Sequence, residues 1–279
     1  SPISLHLERH AAVLLAARDA VGRPQSGEDE LDAARADGRV LGWVDLEGLR
    51  PRLGHGLERA LVVRAGKHVA DLDAVLRRFQ IARANLYGHS WGAGLVAHYV
   101  AAHPGTVRQA ILGSSIPPRR TPYMTQFGRN LRAWADSATL ARIDAFARAR
   151  RNAADPVAAC RAYWGLFVRG YFADASMMKL LKSDICDDPP ASLSNRVNAW
   201  TIGPLGEWDW RQLLATTTVP VAIVHGSGDP IPMESAREWA ASIPGSRLIV
   251  LEGAGHFPMV DRPKAMLDAI ESFFFPAGR

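Results

Sequence analysis

The stretch Gly88-His89-Ser90-Trp91-Gly92 constrains this chain more than any other. A short segment with β character, ending Asn85-Leu86-Tyr87, leads into it. A helical pattern runs from Ala93 to His103 and is closed by Pro104. The spacing predicts a strand, a tight turn with a serine at its apex, and a helix. Such a turn forces the serine into a strained backbone conformation, so the residues two positions away must be small. The helix aims its first N–H groups at the place where an oxyanion would form, and the Trp91 N–H heads that set.

Two further groups follow in an order that suits serine chemistry. Val219-Pro220-Val221-Ala222-Ile223-Val224 reads as a buried parallel strand, and Asp229 lies just past its end. Arg247-Leu248-Ile249-Val250-Leu251 reads as another strand, followed by a Gly-rich loop that carries His256. Open α/β sheets collect functional groups at the C-terminal ends of their strands. A serine hydroxyl is a weak nucleophile at neutral pH. His256 would take its proton during attack and pass it to the leaving group. Asp229 would hold the imidazole in the useful tautomer. His225 is expected to pack beside this site.

The 279 residues, 48% of them hydrophobic, suit one α/β core with a mostly parallel central sheet flanked by helices, plus an insertion. Segments 1–116 and 218–279 read as that core. Its elements include strands at Ser4–Glu8, Ala11–Leu15, Arg39–Asp45 and Val107–Ser114, and helices at Lys67–Phe79 and Pro263–Phe274. In residues 117–217 the strand signal disappears. Gln126–Arg150 and Asp155–Phe172 read as amphipathic helices of an inserted helical cap. Caps of this kind exclude water and select substrates. Trp164, Phe167, Arg169 and Tyr171 in the cap, with His89 and Phe257 in the core, are the candidate substrate-binding residues.

The net charge is +5, but the basic residues are dispersed and lack interleaved aromatics, which argues against a nucleic-acid reader. No apolar run is long enough to span a bilayer, and no signal peptide is visible. With only Cys160 and Cys186, the expectation is reduced thiols in a cytoplasmic protein. No cofactor or metal is called for, and the expected partner is a small-molecule substrate. The oligomeric state is left open.

The chain resembles the proline iminopeptidase-like branch of the α/β-hydrolases. The resemblance rests on Gly88-His89-Ser90-Trp91-Gly92-Ala93-Gly94-Leu95 with His103-Pro104, on Gly226-Ser227-Gly228-Asp229-Pro230-Ile231-Pro232, and on Gly253-Ala254-Gly255-His256-Phe257-Pro258 with Asp261-Arg262-Pro263. It implies an α/β-hydrolase fold and a Ser90–Asp229–His256 triad. The family's glycine-rich oxyanion loop corresponds to Leu15–Gly22, where the glycines are gone, which makes Arg18 the second backbone donor beside Trp91. Losing one such donor costs about 10²–10³ in rate. The amine-binding acid of the iminopeptidases corresponds to the stretch Phe167-Val168-Arg169-Gly170-Tyr171-Phe172, which holds an arginine instead. Glu207 reads as structural.

The sequence therefore predicts a serine hydrolase cleaving an ester or amide of a small, largely apolar molecule, and not an iminopeptidase. The altered oxyanion stretch keeps open a tailoring enzyme of small-molecule biosynthesis, a cyclase, lyase or acyl-transfer catalyst. A pocket-retaining binding protein is a third reading, disfavoured because binding has no need of all three triad groups.

Overall fold

In the computed structural model the described residues are 13–17, 40–44, 65–150, 153–181, 186 and 202–276. The strand expected at Ser4–Glu8 lies outside them. Among the described residues one sheet carries strands β1 (Val13–Ala17), β2 (Val40–Val44), β3 (Ala84–His89), β4 (Val107–Gly113), β5 (Val221–Gly226) and β6 (Arg247–Leu251). Their spatial order is β2-β1-β3-β4-β5-β6. From β3 to β6 all neighbours are parallel.

The parallel strands are apolar because both faces are covered. Side chains alternate between those faces. Leu86, Leu112 and Ile223 point into one core, with helix α1 (Ala65–Arg78), helix α2 (Trp91–Ala102) and Trp239. Tyr87, Ile111, Ala222 and Val224 point into the other, with Met266, Ile270 and Phe273 of the C-terminal helix Pro263–Phe274. Helix α1 contributes Val69, Leu72 and Leu76, the i, i+3, i+7 stripe of a helix lying on a sheet. Helix α2 is buried along most of its length, as its uniformly apolar sequence requires.

The sheet is mostly parallel, as expected, and β1 is the strand that runs against the others. It runs antiparallel to both neighbours, with Val13 beside Gly88 and Ala16 beside Asn85. Its C-terminal end therefore lies at the opposite end of β3 from Ser90. Arg18, expected as an oxyanion donor, follows that end and lies outside the described residues. A short apolar run such as Val13–Ala17 specifies a strand, but it does not specify its direction.

Between β4 and β5 the chain forms α3 (Tyr123–Asn130), α4 (Ser137–Ala149) and α5 (Pro156–Phe167), then a 3-10 turn at Val168–Tyr171. The expected single helix over Gln126–Arg150 is two. Asp136 caps α4 by accepting the Thr139 N–H, which starts a new helix where a continuous one was expected. Asp155 does the same for α5, with Pro156 at its first position. Entry and exit of this insertion lie side by side. Trp210 N–H donates to Pro118 O at 2.6 Å, and Trp208 Nε1 to Pro117 O at 3.0 Å. Cys160 of α5 is joined to Cys186 by a disulfide, which corrects the expectation of free thiols. Only 26 positions separate the two cysteines, so a short connection brings them together.

After β5 come α6 (Met233–Ser242), then β6, the short α7 (Pro258–Asp261) and α8 (Pro263–Phe274). The last matches the sequence reading, with Pro263 at its first position.

Candidate active site

Ser90 sits between β3 and α2 with φ 55° and ψ −119°, a conformation that L-residues rarely adopt. The surrounding backbone holds it there. Ser90 N–H donates to Gly113 O at 2.9 Å, and Ser90 O accepts the Ile116 N–H at 3.0 Å. Gly88 permits the turn, because a Cβ there would overlap the Gly92 carbonyl. Trp91 opens α2, so its N–H has no partner within the helix and faces the end where an anion is favoured.

The loops after β5 and β6 bring Asp229 and His256 to this turn. His256 Nε2 is 3.1 Å from Ser90 Oγ. His256 Nδ1 lies 3.0 and 3.1 Å from the two Asp229 oxygens. The carboxylate can only accept, so the proton is assigned to Nδ1, and Nε2 accepts the Ser90 hydroxyl proton. Burial opposes ionisation of Asp229. The charge of His256, that of His225, and hydrogen bonds from His256 and the Ile231 N–H outweigh it, and its pKa falls to about 2. His225 packs beside the site as expected, its Nε2 donating to Ile231 O at 3.0 Å.

His89, expected against substrate, has its Nε2 engaged. It donates to His256 O at 2.7 Å, and the two rings are 5.0 Å apart. Burial, with the charge of His256 adding to it, lowers the His89 pKa to about 4, so the ring is neutral.

An aromatic group covers the histidine. Tyr171, Phe257 and Phe127 have ring centres 5.3, 5.5 and 6.1 Å from His256. Trp164 and Phe167 extend the group through Tyr171 at 6.5 and 6.0 Å. Burial pushes the Tyr171 hydroxyl pKa up, so it stays protonated. The structure thus gathers Trp164, Phe167, Tyr171 and Phe257 as one cluster. Arg169 is spent otherwise: it donates to Phe172 O at 2.8 Å and lies over the Trp134 ring. Glu207 is bound to Thr121 and Arg120 at the base of the insertion.

Sequence reasoning did not single out Phe127, and it named Asp261 only within the Asp261-Arg262-Pro263 stretch of the resemblance, with no role. Phe127 sits in a segment read only as an amphipathic helix. Asp261 is 2% exposed, and beyond that stretch its sequence signal is an acid closing the apolar run Phe257–Val260. Among the described residues no group of three or more His, Cys, Asp or Glu could hold a metal ion.

Residues 53–263 match the family described as alpha/beta hydrolase fold. The chain belongs to that family. An uncharacterized protein of Mycobacterium tuberculosis is 27% identical over 233 residues, which cover 79% of this chain and 65% of that protein. The chain thus spans just under two thirds of that relative's length. A proline iminopeptidase of Saccharolobus solfataricus is 32% identical over 82 residues, 29% of this chain and 26% of that protein. Among solved structures, an alpha/beta fold family hydrolase from Bacillus anthracis superposes with a TM-score of 0.57 at 20% identity, covering 75% of this chain and 72% of that one. At that identity the likeness shows the fold alone.

Proposed function

We propose that this protein is a serine hydrolase that cleaves an ester or amide of a small, largely apolar molecule through an acyl-enzyme on Ser90. The observation that carries the reading is the unbroken hydrogen-bond chain from Ser90 Oγ through His256 to Asp229. Ser90 Oγ attacks the acyl carbon as its proton moves to His256 Nε2. The carbonyl electrons move onto oxygen, where the Trp91 N–H stabilises them. Collapse expels the leaving group, which takes the proton from His256. Water then attacks the acyl-enzyme while giving a proton to His256. Breakage of the acyl–Oγ bond releases the acid, and the proton returns to Ser90. Asp229 stays ionised throughout and stabilises the imidazolium.

The helical insertion acts as a cap over this site, and its aromatic group favours an apolar or aromatic acyl or alcohol part. Iminopeptidase activity is disfavoured. The arginine in the expected acid position is engaged with Phe172 O and Trp134, and a buried ammonium without a carboxylate pays several kcal/mol in desolvation. Among the described residues no helix is long and apolar enough to cross a membrane. The Cys160–Cys186 bond fits an oxidising compartment better than the expected cytoplasm.

One observation favours a second reading. β1 runs away from the elbow, so the strand that was to deliver a second oxyanion donor does not point toward Ser90. Of a cyclase, lyase or acyl-transfer catalyst in small-molecule biosynthesis, the lyase, or a cyclase that forms no tetrahedral acyl intermediate, would need that donor less; acyl transfer would need it as hydrolysis does. Turnover of a neutral aryl ester, with the products resolved by mass spectrometry, separates the two. Hydrolysis predicts free acid, abolished by Ser90→Ala and faster than release from a prolyl arylamide. Cyclised or transferred product in place of acid would favour the second reading. Faster turnover of the arylamide would show that the substrate assignment is wrong.

A further inference from the structure

The loop that carries His256 is hydrogen-bonded to the helical insertion as well as to the strand ends it leaves. His256 N–H donates to Tyr171 O at 2.7 Å. Gly255 N–H, one residue earlier, donates to Asp261 Oδ2 at 2.5 Å. The Ala173 N lies beside the same carboxylate, the two being 2.6 and 2.9 Å from where a Gly255 Cβ would sit. Phe172, between Tyr171 and Ala173, packs on Phe257 with ring centres 5.5 Å apart. The segment Tyr171–Ala173 and the segment Gly255–Phe257 therefore lie against each other. Gly255 makes this possible, because a Cβ there would strike Tyr171 O and Ala173 N.

We propose that Asp261 is a positioning residue: its carboxylate clasps the Tyr171–Ala173 segment of the helical insertion to the histidine loop and thereby sets the alignment of His256 with Ser90. The proposal rests on the assignment of His256 as the base. Asp261 is suited to this task by its setting. Its side chain lies away from solvent, and its Oδ1 has no hydrogen-bond partner. Only the N–H groups of Gly255 and Ala173 and the nearby Arg262 offset the burial of this carboxyl, which burial pushes above its ordinary range. A neutral apolar side chain would leave the Gly255 N–H buried and unpaired. The loop would then relax, and an error of about 1 Å in the base can cost on the order of 10² in rate. Tyr171 carries a ring over His256 and also the carbonyl that holds the His256 N–H.

The test compares the full chain with Asp261→Ala and Asp261→Asn, using phosphonate labelling of Ser90, kcat and KM on an aryl ester, and the low-field proton signal of His256 Nδ1–H. The expected result for Asp261→Ala is a loss of kcat and of labelling rate of about 10- to 100-fold. KM should change little, and the Nδ1–H signal should broaden or shift. Asp261→Asn keeps a carbonyl oxygen for Gly255 N–H and should recover most of the loss. Wild-type values of kcat and an unchanged signal in folded Asp261→Ala would overturn the proposal. So would a change confined to KM, or failure of both variants to fold, which would make Asp261 a folding residue. A wild-type protein that is not labelled on Ser90 would instead overturn the hydrolase reading. The Nδ1–H signal still decides the positioning role in that case, because it needs no activity.

Discussion

His89 and Asp229 face the same imidazole, one neutral and one charged. Asp229 is held ionised down to about pH 2. Loss of kcat/KM on the acid side above that pH therefore does not come from protonation of Asp229. His89 is the reverse case. Its folded pKa of about 4 lies below the ordinary 6.5, so the folded state resists its protonation. The stability that neutral His89 contributes is fully present above pH 6.5 and is lost as the pH falls toward 4. Each tenfold change in a proton equilibrium is worth about 1.4 kcal/mol, so the loss is on the order of 3 kcal/mol. Urea unfolding at pH 7 and pH 4 should show it in the wild type, and His89→Gln, which does not titrate, should lack that share. Equal pH dependence in both would contradict the assignment. Ser90, Asp229 and His256 were legible in the sequence because each follows a strand in its own loop. The engagement of His89 with His256 O was not, because it depends on how two distant loops meet.

The turn after β3 and the helix α2 act as one unit. Gly88 lies against the Gly92 carbonyl, and a methyl group at that position has no space. Gly88→Ala should destabilise the protein by about 3 kcal/mol or more, since backbone must move to accommodate it. Denaturant unfolding measures this, and a loss within about 0.5 kcal/mol would mean the turn is looser than described. Elements with a strong period were readable from the residues alone, such as α8 from Pro263 to Phe274 and β4 from Val107 to Gly113. The split of the first cap segment was not, because Asp136 in a helical pattern reads as a surface residue until its side chain is seen to accept the Thr139 N–H. The direction of β1 was also hidden. A strand's period places side chains on faces, while its direction is decided by pairing with residues far along the chain.

Across the whole molecule, a parallel sheet supplies strand ends, and the loops there bring three chemical groups to one point. The insertion between β4 and β5 then adds aromatic rings over that point and a disulfide within itself. Burial and hydrogen bonding at the site separate the Ser90 hydroxyl from those of its neighbours. Ser114 is completely buried, and the Ser115 hydroxyl donates to Ile116 O. Ser90 alone of these three presents its oxygen to His256 Nε2. The most direct test is to treat the protein with a fluorophosphonate and map the adduct by peptide mass spectrometry. Activation by His256 predicts a single phosphonyl group on Ser90, formed with loss of fluoride. The adduct should be absent in Ser90→Ala and formed far more slowly in His256→Ala. An adduct on Ser114 or Ser115, or labelling of Ser90 at an unchanged rate without His256, would contradict the account.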